Sequence, residues 1–281
     1  MDLITTTEVM RAASRAARAA GKQVGFVPTM GALHEGHLSL VRAAKAQCDV
    51  VAASIFVNPT QFGPNEDFSK YPRTLERDRQ LLEKEGVNVL FAPAVEEIYP
   101  AGAVTYVTVE GLSEKLCGKS RPGHFRGVTT VVSKLFNIVE PDVAFFGQKD
   151  VAQVAIIRRM VRDLNMPVEV RVCPIMRETN GLAMSSRNAY LDPQQRKAAL
   201  VLYRSLREVQ RTFELGERNA HNLVQIGRQI FAEESTVCLD YFEIVHTDTL
   251  DPLENIEGPA LVAVAAFVGT TRLIDNFIIF A

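Results

Sequence analysis

The feature that most constrains this chain is a rhythm. From residue 24 to about residue 174, short apolar runs alternate with amphipathic stretches of helix length. The runs Val24–Val27, Val50–Val57, Val87–Phe91, Asp142–Phe146 and Val168–Val172 are rich in Val, Ile, Phe and Ala, with little polar alternation. That texture belongs to parallel strands covered by helices on both faces. Between them lie candidate helices over Gly36–Gln47, Thr74–Glu85, Phe125–Val139 and Val151–Leu164, the last two stopped by Pro141 and Pro167. Repeated strand–helix–strand units imply right-handed crossovers, so the expectation is an α/β fold with a Rossmann-like, doubly wound parallel sheet. Ligands on such sheets sit beyond the carboxyl ends of the strands.

After about Met176 the texture changes. Two helical patterns, Pro193–Leu215 and Ala220–Glu234, precede three alternating runs, Leu239–His246, Leu261–Val268 and Leu273–Phe280. Consecutive strands without helices between them read as a small antiparallel sheet, hence a smaller C-terminal α+β domain. The expected division is 1–175 and 176–281, with a tight hinge near Cys173–Glu178 because no flexible linker or repeat intervenes. Residues 1–23 carry Arg11, Arg15, Arg18 and Lys22 among alanines and flow directly into a strand pattern, which favours a surface helix over a transit peptide.

Charge and cysteine usage narrow the class. With 33 acidic and 31 basic residues the formal net charge is -2, without the basic excess of a general nucleic-acid binder. Cys48, Cys117, Cys173 and Cys238 have no zinc-site spacing, and a chain of this length needs no disulfide staples, so free thiols in a reducing, cytoplasmic setting are expected. No run approaches eighteen consecutive apolar residues, so no membrane span is expected.

Four segments carry candidate chemistry, three of them at strand ends. After the first strand, Pro28-Thr29-Met30-Gly31-Ala32-Leu33-His34-Glu35-Gly36-His37 puts two histidines at the opening of a helix, where unpaired amides and the positive helix end favour phosphate. The bland alternative is one capping and one solvated histidine; the strand–loop–helix context favours function. His34-x-x-His37 is not the H-E-x-x-H zinc pattern. It matches the H-x-G-H signature of nucleotidyltransferases and class I aminoacyl-tRNA synthetases. Met184-Ser185-Ser186-Arg187 offers hydroxyls and a guanidinium suited to phosphate oxygens, and resembles the K-M-S-K-S loop of that superfamily, with Arg for the second Lys. Alone it would read as a turn with a solvated Arg. Gly147-Gln148-Lys149-Asp150 opens another helix: Lys149 suits phosphate, Asp150 suits ribose hydroxyls or an N-cap, and Gln153 lies one turn on. In Asn58-Pro59-Thr60-Gln61-Phe62-Gly63, Gln61 can bond a hydroxyl or carboxylate. Asp78 is a candidate magnesium partner, although most carboxylates on such a helix are simply solvated. Arg121–Gly127 reads either as a basic loop over the site or as a surface turn, and Arg121 or Arg126 is expected beside Lys149 and Arg187.

In order and spacing, Pro28–Ser39, Asn58–Gly63, Arg121–Thr129, Phe145–Gln153 and Gly181–Asn188 together resemble the pantoate–β-alanine ligase family across essentially the whole chain. Met176 stands where similar enzymes often have a smaller branched residue whose backbone meets adenine. The resemblance implies ATP and Mg2+ as cofactors, pantoate and β-alanine as substrates, a pantoyl-adenylate intermediate, and release of AMP and pyrophosphate. It implies His34, His37 and Lys149 as catalytic residues, with His37 the acid/base candidate. It implies nucleotide contacts from Met30 to His37 (Gly31, Ala32, Leu33, Glu35 and Gly36 included), from Gly147 to Asp150, and from Met176, Met184, Ser185, Ser186 and Arg187. Gln61 and Gln153 would hold pantoate, with Gln61 also near β-alanine. A lid role for the second domain and a homodimer through the first follow from the same resemblance. Competing readings are a simple nucleotidyltransferase, which would want Arg or Lys where Gln61 and Gln153 stand, a tRNA synthetase fragment, disfavoured by charge, and a non-enzymatic nucleotide sensor.

Overall fold

A computed structural model describes residues 1–64 and 66–280. In chain order the first part runs β1 (Asp2–Ile4), α1 (Thr7–Ala19), β2 (Val24–Thr29), α2 (Glu35–Gln47), β3 (Val50–Ile55), α3 (Leu75–Lys84), β4 (Val89–Phe91), α4 (Val95–Ile98), α5 (Cys117–Ser120), α6 (His124–Val139), β5 (Val143–Gly147), α7 (Val151–Asp163) and β6 (Glu169–Cys173). Its strands form one six-stranded parallel sheet in the order β1-β4-β3-β2-β5-β6. The chain winds outward from β2 through β3 toward one edge, then crosses back to place β5 on the other side of β2. The reversal opens a crevice above β2 and β5, and both the histidine loop and the Lys149 loop leave from those two strands.

Burial explains the texture of the strands. Phe26, Val27, Val51, Ala53, Leu90, Phe91, Ala144 and Phe145 are all fully enclosed, because helices cover both faces. Helix α6 goes further than the amphipathic pattern predicts: residues from Phe125 through Val139 are buried nearly all round, against α1, α7 and β2. Helix α1 behaves as the expected surface helix, burying only Met10 and Ser14. Ahead of it, residues 2–4 form a strand rather than part of a helix, pairing Asp2 with Val89 and Ile4 with Phe91. Three residues give no readable alternation, and their partner lies far along the chain.

The second part contains α8 (Pro193–Ala198), α9 (Leu200–Glu214), α10 (Ala220–Ala232), β7 (Val237–His246), β8 (Ala260–Val268) and β9 (Thr271–Ile279). The last three form an antiparallel sheet, β7-β8-β9, as expected. The single predicted helix over Pro193–Leu215 is divided at Ala199; its start matches the sequence, with Pro193 at the first position and Asp192 and Gln195 forming a reciprocal cap. Helices α9 and α10 bury Leu202, Leu206, Leu223 and Phe231 against this sheet. Val245, Leu250, Leu261 and Ala263 instead join the core of the parallel sheet, so the two sheets share packing.

Candidate active site

The histidine loop is held from below. Gly31 (φ +81°) and Ala32 (φ +50°) turn the chain sharply after β2, and a Cβ on Gly31 would lie 3.1 Å from Ile55 and 3.2 Å from Asp78. The Asp78 carboxylate receives the amides of Ala32 (2.8 Å) and Leu33 (2.9 Å) and the Thr74 hydroxyl (3.0 Å). It is fully buried. Three protein donors occupy its oxygens and it lies beneath the cleft, a setting that lends the expected magnesium role of Asp78 no support. Its work is to fix the loop that presents the histidines.

The histidines then fix each other. His34 Nδ1 accepts from the Gly36 amide (3.1 Å), and His37 Nδ1 accepts from the His34 amide (3.3 Å), a reciprocal cap on α2. With Nδ1 an acceptor in both rings, the single proton of each neutral imidazole sits on Nε2. A Cβ on Gly36 would lie 2.8 Å from the His34 ring, so the glycine of H-x-G-H is what lets His34 fold over the helix start. Burial pulls His34 down to about 4, with Lys149 adding to the effect. Burial, then His34 and Lys149, hold His37 well below the ordinary imidazole range. Both rings are uncharged donors at neutral pH.

Above them lies a cavity of about 220 Å3 that gathers most of the sequence-predicted set: Met30, His34, Gly36, His37, Gln61, Gly147, Lys149, Asp150, Gln153, Met176, Met184, Ser185, Ser186 and Arg187. A wider opening of about 750 Å3 shares Arg121, His124, Lys149, Asp150, Gln153, Ser185 and Arg187 with it and extends to Tyr241, Arg272, Asp275 and Asn276 of the second sheet. Gly31, Ala32, Leu33, Glu35 and Gln148 do not line the cavity. Leu33 is buried in the core beneath, Glu35 pairs with the exposed Arg42, and Gln148 Nε2 donates to Asn276 Oδ1 (3.3 Å). Asp150 makes no side-chain cap to α7; it lies 3.6 Å from Lys149.

The wall that carries Gln61 is rigid. Gln61 Nε2 donates to Met30 Sδ (3.1 Å), and Gln61 Oε1 accepts from Asn58 Nδ2 (3.0 Å), which also reaches the Gly127 carbonyl (3.1 Å). Tyr99 donates to Asn58 Oδ1 (2.9 Å). A Cβ on Gly127 would sit 2.3 Å from the Thr60 carbonyl oxygen, so α6 rests directly on this turn. His124 Nδ1 donates to the Gln61 carbonyl (2.8 Å), and burial, then Arg121, brings the ring down to about 4. Of the two readings for residues 121–127, the structure supports the site-facing one for Arg121 and His124. Arg126 turns away to stack on Tyr106, its guanidinium carbon 4.7 Å from the ring centre.

Carboxylates that the sequence reading missed meet the cleft's arginines. Arg187 makes two bonds to Asp67 (2.9 Å each), and Arg121 makes two to Glu66 (2.7 and 2.5 Å). Ser186 donates to the Ala32 carbonyl (3.1 Å), tying the Ser185–Arg187 loop to the histidine loop. Asp67 and Arg187 are 120 residues apart, and no local pattern links them.

Fold and site together define a doubly wound α/β protein with an anion-suited cleft at the switch point of its parallel sheet. The family model for pantoate-beta-alanine ligase matches residues 2–278. Pantothenate synthetases of Acidobacterium capsulatum and Koribacter versatilis are 63% and 58% identical, over 92% and 99% of this chain and 86% and 96% of their own. The crystal structure of pantothenate synthetase from Thermus thermophilus superposes with a TM-score of 0.94 at 48% identity, covering 99% of each chain. That of the Francisella tularensis pantoate-beta-alanine ligase, complexed with beta-gamma ATP and beta-alanine, gives 0.81 at 36% identity, covering 99% of this chain and 97% of its own. The chain belongs to the pantoate–β-alanine ligase family of enzymes. Among the described residues, no helix is long and apolar enough to cross a membrane.

Proposed function

We propose that this chain joins pantoate to β-alanine in two ATP-driven steps through a pantoyl-adenylate. The observation that carries the reading is the convergence of two uncharged imidazoles, Lys149 and the Ser185–Arg187 loop on one cavity. In the first step a pantoate carboxylate oxygen attacks the α-phosphorus of ATP, and pyrophosphate leaves. No proton needs to move, so His34 and His37 serve there as Nε2–H donors to phosphate oxygens rather than as acids or bases. Lys149 and Arg187 supply positive charge where negative charge builds on the triphosphate, Ser185 adds a hydroxyl donor, and Ser186 would have to turn from the Ala32 carbonyl to add a second. Fixed donors aimed at developing charge are the main source of rate in such a site. In the second step the neutral amine of β-alanine attacks the acyl carbon, AMP leaves, and the amine's proton passes to solvent.

Gln61 and Gln153 orient pantoate, Gln61 from a position locked by Asn58 and Met30. Mg2+ enters this reading on the phosphates of ATP, where it would neutralise charge on the leaving group. The protein carboxylate assigned to it, Asp78, does not fit a metal-ligand role. Residues 176–281 act as a lid over residues 1–175, keeping water from the adenylate. A homodimer through residues 1–175 is part of the same proposal; Val104 and Tyr106 are exposed there. So is a cytoplasmic setting, consistent with four free cysteines.

The deciding experiment measures pyrophosphate and AMP release from ATP and pantoate, with and without β-alanine. Pantoate-dependent pyrophosphate release followed by amine-dependent AMP release is the expected result. Pyrophosphate release without any amine-dependent AMP would favour a simple nucleotidyltransferase and sink the ligase reading. Small-angle scattering on adding ATP and pantoate should show compaction; no change counts against the lid.

A further inference from the structure

Two adjacent residues of β9, Asp275 and Asn276, grip the two loops that face each other across the cleft. Asn276 Nδ2 donates to the backbone carbonyls of both Gln148 and Lys149 (3.0 Å each), and its Oδ1 accepts from Gln148 Nε2. Asp275 makes a two-pronged ion pair with Arg177 (2.6 and 2.9 Å), and Arg177 reaches on to the Gly181 carbonyl (3.1 Å). The Asn276 amide closes the unit by donating to Asp275 Oδ1 (2.7 Å). Both residues are only a few per cent exposed. Neighbouring residues on a strand point to opposite faces, which is how one short stretch holds two loops on two sides.

We propose that Asp275 and Asn276 are positioning residues for adenylate formation, setting Lys149 and the Ser185–Arg187 loop at the separation the ATP phosphates require. The claim rests on the ligase reading above. The backbone of Lys149 is aimed through the carbonyls that Asn276 clamps, and its ammonium extends from that fixed root toward the cleft. Arg177 performs the same service at the root of the second loop, where the bidentate geometry fixes direction as well as distance. Neither Asp275 nor Asn276 takes part in the chemistry. Their effect passes through the groups they hold, and a displacement on the order of 1 Å at such a site costs roughly 100-fold in rate.

The test compares half-reactions in Asn276→Ala and Asp275→Asn. Pantoate-dependent ATP–pyrophosphate exchange should fall roughly 100-fold with a raised KM for ATP, while transfer from supplied pantoyl-adenylate to β-alanine falls far less. Hydrogen–deuterium exchange should rise locally, at residues 147–153 in Asn276→Ala and at 176–187 in Asp275→Asn. Equal loss in both half-reactions with unchanged KM for ATP, or near-normal exchange in a folded variant, overturns the proposal. ATP affinity measured without pantoate is read in parallel, so the positioning claim is tested even if the wild type makes no adenylate. Should Asp275→Asn fail to fold, Arg177→Lys keeps the charge but loses the fork, and the same split between half-reactions is expected of it.

Discussion

The two walls of the cleft are built by opposite means. The histidine wall is fixed by hydrogen bonds to backbone amides: Asp78 beneath the loop, His34 and His37 capping each other, Gly36 giving room. Its functional groups are uncharged, and nothing has to let go before they meet a ligand. The arginine wall is fixed by ion pairs to carboxylates of a facing loop, Arg187 to Asp67 and Arg121 to Glu66. Its charges are already spoken for, and an entering polyanion must displace a carboxylate to use them. One wall is organised in advance; the other is organised by exchange.

The sharpest way to break this contrast is to remove a fixed donor. His37→Ala or Lys149→Ala should lower pantoate-dependent pyrophosphate release by at least about 100-fold, with an unchanged unfolding curve. Near-normal release from either folded variant would make the role assignment wrong. Next in size is Asp78→Ala, which strands two buried amides and a hydroxyl. A loss of about 2–4 kcal/mol in urea unfolding is expected, with a smaller loss for Asp78→Asn. A rise in Mg2+ requirement without loss of stability would instead return Asp78 to metal binding.

Acid should act on the fixed wall as well. His34 and His124 are held at about 4 against an ordinary 6.5, and His37 is lowered too. Between those values the unfolded chain binds more protons than the folded one, so stability is complete above about 6.5 and falls as pH drops toward 4. Denaturant midpoints across that window should decline, and His124→Gln should flatten part of the slope. A flat profile in the wild type would contradict the buried, neutral histidines. The smallest effect belongs to the exchangeable wall. Asp67→Asn frees Arg187 and should tighten ATP roughly fivefold at low salt, the worth of a pair near 1 kcal/mol. Weaker binding, seen by calorimetry, would mean that Asp67 aims Arg187 rather than competing for it.

The same contrast explains what could be read from the sequence. The parallel sheet, its strand-end loops and most of the cavity lining were legible because each rests on local pattern: apolar runs, helix openings, glycines beside histidines. H-x-G-H is legible for a physical reason, since its spacing is the geometry of a capped helix start. Strand β1 was not, because three residues carry no period. The depth of Asp78 was not legible, because a carboxylate on a helix looks the same in sequence whether it is solvated or buried under a loop. Glu66, Asp67, Asp275 and Asn276 act on residues about 55 to 130 positions away, and only the folded chain reveals such pairings.

Strand β9 has a consequence for how the protein comes into being. A nascent chain has every ligand-facing loop by residue 187, yet the strand that ties those loops together leaves the ribosome only with residues 271–279. Domains generally fold from the N-terminus during synthesis, so the parallel sheet can close early around a cleft still slack at its mouth. Until β9 docks, the carbonyls of Gln148 and Lys149 lack the Asn276 amide that bonds them. A chain without residues 271–279 would lack the side chains that join the Lys149 loop to the Arg177 loop.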